Sequence, residues 1–255
     1  MHILKSDAGV HEGNRASIAP GIRSYRWTAG YSFTGLVFPD LENIDCRSIG
    51  PQSLEWLRWH LTYCKSLAQV RLSFRKLTEL TQRAAGNLLN GAALCHLRHL
   101  SLASIDVAAL QPARVSRLEL LELNDCAGAE VFLNQLAYEV PPSLRVMRVT
   151  AHSKSGRPQP YTAWLRGAQN IESITLCIGG LASVIPLDDI EAHASTLRTL
   201  ILDARRNLRD PASVFAYSPV DLRRIVDICC LLQTLGMPVD LRDYQRQRYT
   251  RSPQL

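Results

Sequence analysis

Aliphatic residues along this chain recur in a comb of fixed spacing. It is clearest at Leu118-Glu119-Leu120-Leu121-Glu122-Leu123-Asn124-Asp125-Cys126, with teeth at the first, fourth and sixth positions and a cysteine at the ninth. From the fourth position to the sixth the period is two, so the comb predicts a strand entered from a turn. Leu121 and Leu123 then point to one face, Glu122 and Asn124 to the other, and Leu118 fills the corner where the chain comes in. One such strand cannot bury its own apolar side. Stacked on copies of itself, with a helix or loop returning behind, it can.

The comb recurs along most of the sequence. Matching sets are Ile22/Tyr25/Trp27, Leu41/Ile44/Cys46, Leu67/Val70/Leu72, Leu97/Leu100/Leu102, Leu144/Met147/Val149, Ile171/Ile174/Leu176, Leu197/Leu200/Leu202 and Leu232/Leu235/Met237. Successive starts are 19, 26, 30, 21, 26, 27, 26 and 35 residues apart. The intervening segments carry helical spacing or turn residues. Helices are predicted over 53–64, with Pro51 as a start signal and Ser53 as N-cap, and over Glu79–Leu89, 129–138, 161–168 and 219–230. A further helix is predicted to begin at the acids Asp188, Asp189 and Glu191 behind Pro186, which suits the positive end of a helix dipole. Phe33–Phe38 reads as an extra strand or as part of the return.

A comb of this spelling at intervals of about 20–30 residues is the strand half of a leucine-rich repeat. The expected fold class is therefore α/β, a leucine-rich-repeat solenoid. Parallel strands pack about 4.8 Å apart and helices about 8–10 Å apart. A curved parallel β-sheet is thus expected on the concave side, with helices and loops on the convex side. The expected organisation is an entry segment over 1–20, a repeat domain over 21–240 and a basic tail over 241–255. The ninth position keeps its customary Asn or Cys only at Cys126. Arg75, Ile105, His152, Gly179 and Arg205 stand there elsewhere, so the usual side-chain ladder at that turn is mostly absent.

Composition narrows the class further. Hydrophobic residues make up 46 % and charged residues 20 % of the 255, too apolar for a disordered chain. The net charge of +6 comes from 29 basic and 23 acidic residues that are interleaved, which permits an acidic partner without requiring nucleic acid. Seven cysteines, an odd number without paired spacing, argue against a disulfide framework and for a reducing compartment, and most are expected as small core fillers. No apolar run is long enough to span a bilayer, and the N-terminus shows no charged-then-apolar signal. The expectation is a soluble cytoplasmic or nuclear protein that does not engage a membrane.

Candidate chemistry is sparse. Cys95, His96 and His99 form a metal-like cluster, but three-residue spacing puts the two histidines on opposite faces of an extended strand. Cys229-Cys230 closes a helix without the C-x-x-C arrangement of a redox pair and is expected to pack inward. Asp188, Asp189, Glu191 and His193 can be drawn as a metal site, yet helix-start acids explain them equally well. His193 and Asp203 have no spacing that supports a catalytic triad. No nucleophile elbow, P-loop, zinc-protease or dinucleotide motif is present, so the chain is expected to be a non-enzyme without a cofactor.

The informative residues are those between the teeth, at the third, fifth and seventh positions. Arg26, Arg47, Arg71, His99, Glu122, Asn124, Arg148 and Asp203 are the expected protein-binding residues of the concave face, with the four arginines as a broken positive stripe. Arginine suits such a role because its planar fork meets carboxylates with two hydrogen bonds. The second function class is an RNA- or phospho-ligand-binding solenoid using that stripe, the loop 205–210 and the tail from Arg242 to Arg251.

One resemblance adds to this. The combs, their irregular intervals and the segments Leu200–Arg206, Tyr217–Leu222 and Cys229–Pro238 resemble fungal F-box/leucine-rich-repeat proteins. Ile22–Trp27 is similar to the strand that often opens their repeat arrays. The resemblance implies a substrate receptor of a cullin-type ubiquitin ligase, in which the repeats hold substrate and an F-box holds a Skp-type adaptor. The first twenty residues do not spell an F-box, so Skp-type adaptor and cullin are expected partners only if one is supplied.

Overall fold

Every comb becomes a strand that starts two residues after its first tooth. The computed structural model describes residues 17–18, 21–28, 36–74, 79–91, 94–207 and 214–240. In chain order its strands are β1 Ser17–Ile18, β2 Ser24–Thr28, β3 Leu36–Val37, β4 Asn43–Ile49, β5 Gln69–Phe74, β6 His99–Ala103, β7 Leu120–Asn124, β8 Val146–His152, β9 Ser173–Gly179, β10 Thr199–Ala204 and β11 Thr234–Gly236. The chain divides into two compact units, Met1–Leu144 and Arg145–Leu255. Both are α/β, and every strand pairing described within them is parallel.

In the first unit the strand order is β2-β4-β5-β6-β7, and the register aligns the teeth. Tyr25, Ile44, Val70, Leu100 and Leu121 form one row, and Cys46, Leu72, Leu102 and Leu123 the next. All of these side chains are buried. The register is pinned at the comb's second position. The Arg23 carbonyl accepts the N–H groups of Glu42 and Asn43, that of Glu42 accepts from Ala68 and Gln69, that of Ala68 from Arg98 and His99, and that of Arg98 from Glu119 and Leu120. A slip by one residue would break this series and turn the teeth to solvent. β6 and β7 end where the eighth position turns left-handed, at Ser104 and Asp125 with φ of 57° and 49°; in β4 the same position, Ser48 with φ of 58°, lies inside the strand, where the register with β5 shifts between Cys46 and Ile49. Short polar side chains are the non-glycine residues that best tolerate that conformation. A separate parallel pair, β1 with β3, aligns Ser17 with Leu36.

The returns of this unit are α1 Leu54–Tyr63, α2 Glu79–Gly91 and α3 Ala129–Leu136, with 3₁₀ turns at Pro51–Ser53, Leu94–His96 and Pro112–Val115. Ser53 does not cap α1. Its side chain accepts no capping hydrogen bond and the residue is buried, because Pro51 opens a 3₁₀ turn that carries the chain into the helix instead. Behind the first strands, aromatic rings replace aliphatic packing. Tyr25 stacks on Phe38 at 5.3 Å and meets Trp56 at 5.2 Å. His60 is fully buried beside them. Its Nε2 accepts the Phe38 N–H at 3.1 Å, which leaves the proton on Nδ1, donated to the Trp56 carbonyl at 2.9 Å. Burial lowers the His60 pKa, and the Trp56 hydrogen bond offsets part of that shift.

In the second unit the order is β11-β10-β9-β8. Met147, Ile174 and Leu200 align with Leu235, and Val149, Leu176 and Leu202 lie in the next row. The second-position carbonyls repeat their pattern from Arg145 to Glu172/Ser173, from Glu172 to Arg198/Thr199 and from Arg198 to Gln233/Thr234. The helices are α4 Gln159–Thr162, α5 Asp188–Glu191 and α6 Pro219–Ile228. The helix expected over 161–168 is split: α4 passes into a 3₁₀ turn at Ala163–Gly167. The α6 N-terminus carries a capping box, in which the Ser218 hydroxyl accepts the Asp221 N–H and the Asp221 carboxylate accepts the Ser218 N–H. Among the described residues no helix is long and apolar enough to cross a membrane.

Cysteine placement departs from the expected core role at two positions. Cys46, Cys64, Cys126 and Cys229 are buried, Cys177 is half-buried, and Cys95 and Cys230 are exposed. Cys229 faces inward from the end of α6 and Cys230 follows it on the outward side, so the pair does not pack as one block. Cys126 earns its ninth position by donating its S–H to the Leu102 carbonyl one strand back, at 3.4 Å.

Candidate functional site

The outward face of the first unit's strands is organised in columns by the same register. The third position reads Ser24, Asn43, Gln69, His99 and Leu120, and the fifth reads Arg26, Asp45, Arg71, Ser101 and Glu122. These two columns wall a pocket of about 300 Å³ whose floor includes Tyr25, Ile44 and Val70, residues whose side chains are buried beneath it. Arg26, Arg71 and His99 line it together with Asp45. Arg47 reaches it indirectly through Asp45, while Glu122 and Asn124 lie further along β7, the strand whose Leu120 lines the pocket.

Charge on this face alternates, which changes the expected positive stripe. Asp45 sits between three arginines and its side chain is only 16 % exposed. One of its oxygens meets Arg26 Nε at 3.2 Å, and the other meets Arg47 Nε at 3.3 Å. Two of the expected stripe arginines are therefore tied to one carboxylate. Glu122 is also occupied: it accepts from the Ser101 hydroxyl at 2.9 Å and from the Asn124 amide at 3.1 Å. Arg71 lies between Asp45 and Ser101 in the same column, exposed, with no ion-pair partner among the described residues. The Asn43 amide donates to Ser24 at 3.1 Å across the third column.

His99 and the residues around it do not converge on a metal. His96 is exposed in its 3₁₀ turn, whereas His99 opens β6 with Nε2 at 3.9 Å from Glu119. Among the described residues no group of three or more His, Cys, Asp or Glu side chains is arranged to hold a metal ion.

A further column, at the comb's second position, lies outside the residues expected from the sequence to bind. Its side chains pair across strands as Arg23 with Glu42 at 3.6 Å and Arg98 with Glu119 at 3.6 Å in the first unit, and Arg145 with Glu172 at 2.9 Å in the second. The signal was present, since those residues follow the first tooth of six of the nine combs. Exposed pairs of this kind add little stability.

In the second unit Arg148 is exposed on the strand face. Asp203 is bridged by Arg205 through two hydrogen bonds of 2.7 and 2.6 Å, which raises the Arg205 pKa and occupies both carboxylate oxygens. The acids of α5 hold arginines. Arg224 contacts Asp188 at 3.0 Å and forks onto Glu191, and Arg166 meets Asp189 at 2.9 Å. His193 is buried, with Nε2 against the Leu165 carbonyl at 3.0 Å. Of the basic segments, residues 208–213 and 241–255 lie outside the described residues, as does Arg75.

The arrangement can recognise. It has hydrogen-bond donors and acceptors in columns, a shallow recess and, in Arg71, a guanidinium without an ion-pair partner among the described residues, on a backbone fixed by the stacked strands. The chain matches no protein-family model, no curated protein and no solved structure.

Proposed function

We propose that this chain is a leucine-rich-repeat protein-interaction module, a solenoid that binds a partner protein on the outward face of its strands and performs no catalysis. The observation that carries the proposal is the pocket walled by Arg26, Asp45, Arg71 and His99, built from columns that the repeat register generates. Rigid parallel strands supply fixed side-chain spacing, which suits recognition of an extended surface. The module works in a reducing compartment, the cytoplasm or nucleus, a reading supported by seven free cysteines. In its narrower form the partner is a ubiquitin-ligase substrate, and the module belongs to an F-box-like receptor that recruits a Skp-type adaptor and cullin.

The test is affinity purification of the full chain from its native cell, with and without nuclease, in parallel with two variants. Arg71→Glu changes the strand face, and Tyr138→Ser changes an exposed residue beyond α3. A partner protein retained by Tyr138→Ser and lost by Arg71→Glu supports the proposal. Equal retention by both variants refutes it. Recovery of a Skp-type adaptor and cullin supports the narrower form. Partners lost on nuclease treatment would replace the proposal with nucleic-acid binding, which the pairing of Arg26 and Arg47 with Asp45 weighs against.

A further inference from the structure

We infer that the strand-face pocket of the first unit takes an acidic side chain of an extended peptide segment, with Arg71 as its anchor; the inference rests on the partner-binding proposal above and names the chemistry of the partner. Along the fifth column, charged groups are satisfied in turn. Asp45 has one oxygen on Arg26 and the other on Arg47, and Glu122 is held by Ser101 and Asn124. Arg71 is left as the exposed cation in the row without a carboxylate among the described residues. Its column neighbours make no ion pair with it: the Asp45 carboxylate is turned to Arg26 and Arg47, and Glu122 to Ser101 and Asn124.

A guanidinium in this position is matched by a carboxylate, whose two oxygens fit its planar fork. Counting the arginine and carboxylate side chains that line the pocket gives Arg26, Arg71 and Asp45, a net charge of +1. One added carboxylate balances it. Gln69 precedes Arg71 on the same face of β5, exposed and beside His99 in the third column, where it can exchange hydrogen bonds with the peptide's backbone. A pocket of about 300 Å³ is at the small end for a ligand site and suits a side chain rather than a folded cofactor.

The experiment uses the full chain labelled with ¹⁵N and follows the Arg71 Nε–Hε resonance, assigned by its loss in Arg71→Gln. The probes are acetyl-Gly-Glu-Glu-Gly-amide, the matching Gln-Gln peptide, and inorganic phosphate. The expected result is a saturable shift of that resonance by the Glu peptide, with the Gln peptide and phosphate about tenfold or more weaker. Backbone resonances of Gln69 and Ser101 shift with it, and in Arg71→Gln their response to the Glu peptide drops by a similar factor. Equal responses to the Glu and Gln peptides would overturn acidic recognition while leaving a peptide-binding face. An equal response to phosphate would overturn the peptide class. No shift at millimolar Glu peptide would overturn the inference, and the dependence of the purified partner on Arg71 then reports separately on the broader proposal.

Discussion

Replacing Gly86 by alanine sets two magnitudes against each other, and the structure decides the sign. Gly86 lies inside α2, where helix propensity alone favours alanine by about 1 kcal/mol. A Cβ built there would come 2.1 Å from the carbonyl oxygen of Asp106 and 3.3 Å from its carbon. Even a weak C–H···O contact needs about 3.3 Å between carbon and oxygen, so more than an ångström must be found. The obstacle is main chain, and it is pinned: the Val107 N–H is bound to the Ala127 carbonyl at 2.9 Å and the Ala108 N–H to Asp106 Oδ1 at 3.0 Å. Relief therefore requires α2 to move off its seat. Overpacking of this kind costs about 1–3 kcal/mol, and the severity of the clash points to the upper half. Net of propensity, Gly86→Ala is expected to destabilise by about 1–2 kcal/mol, read from urea unfolding midpoints at unchanged slope. Gly50→Ala is the control, because nothing lies within 4 Å of its added Cβ; it should stay within about 0.5 kcal/mol of wild type. A Gly86→Ala protein as stable as wild type or more so would mean that α2 does not rest on the Asp106 carbonyl.

The alternation within a comb can be tested at neighbouring residues: Leu121→Ala removes a fully buried tooth and should cost about 2–5 kcal/mol. Glu122→Ala, which removes half-buried hydrogen bonds, should cost about 1 kcal/mol; similar losses at the two sites would contradict the assigned register. His60 makes stability depend on acidity. Its folded pKa is lowered by burial, so below the ordinary imidazole value of about 6.5 the unfolded chain takes up a proton that the folded chain does not. Stability should be fully present above that pH and fall as pH drops through it, with a shallower fall in His60→Gln; identical urea midpoint profiles from pH 7.5 to 5 would exclude His60 as the cause. Thiol labelling of the native protein at pH 8 should modify Cys95 and Cys230 rapidly and Cys46, Cys64, Cys126 and Cys229 only on unfolding. Burial pushes the Cys46 thiol up to about 12, so it is protonated as well as shielded, and its rapid labelling would contradict the packing behind β4.

The parallel strands were legible in the sequence because three teeth at one and four and six demand both a period of two and a corner. That requirement places each strand at the same offset from its first tooth, even for the degenerate sets at Ile22 and Leu41. Helix ends were less legible. Pro51 signals a helix start, but it opens a 3₁₀ turn and buries Ser53, a tertiary effect that a local capping rule does not see. The left-handed eighth position at Ser48, Ser104 and Asp125 left only a weak signal, since serine and aspartate are common in every turn.

For the candidate site the difference is one of neighbours. Reading outward residues strand by strand groups Arg26, Arg47 and Arg71 by charge, and a positive stripe results. Aligning the combs on their first teeth instead sets Arg26 beside Asp45 and Asp45 beside Arg71, and likewise Arg23 beside Glu42. Partners 19 to 26 residues apart in sequence thus become adjacent by register alone. What alignment cannot supply is which arginines Asp45 takes. Arg26 and Arg71 are equivalent neighbours in the column, and Arg47 is on its own strand. In the structure Asp45 engages Arg26 with one oxygen and Arg47 with the other. Arg71 is consequently the arginine of this column without a carboxylate partner among the described residues.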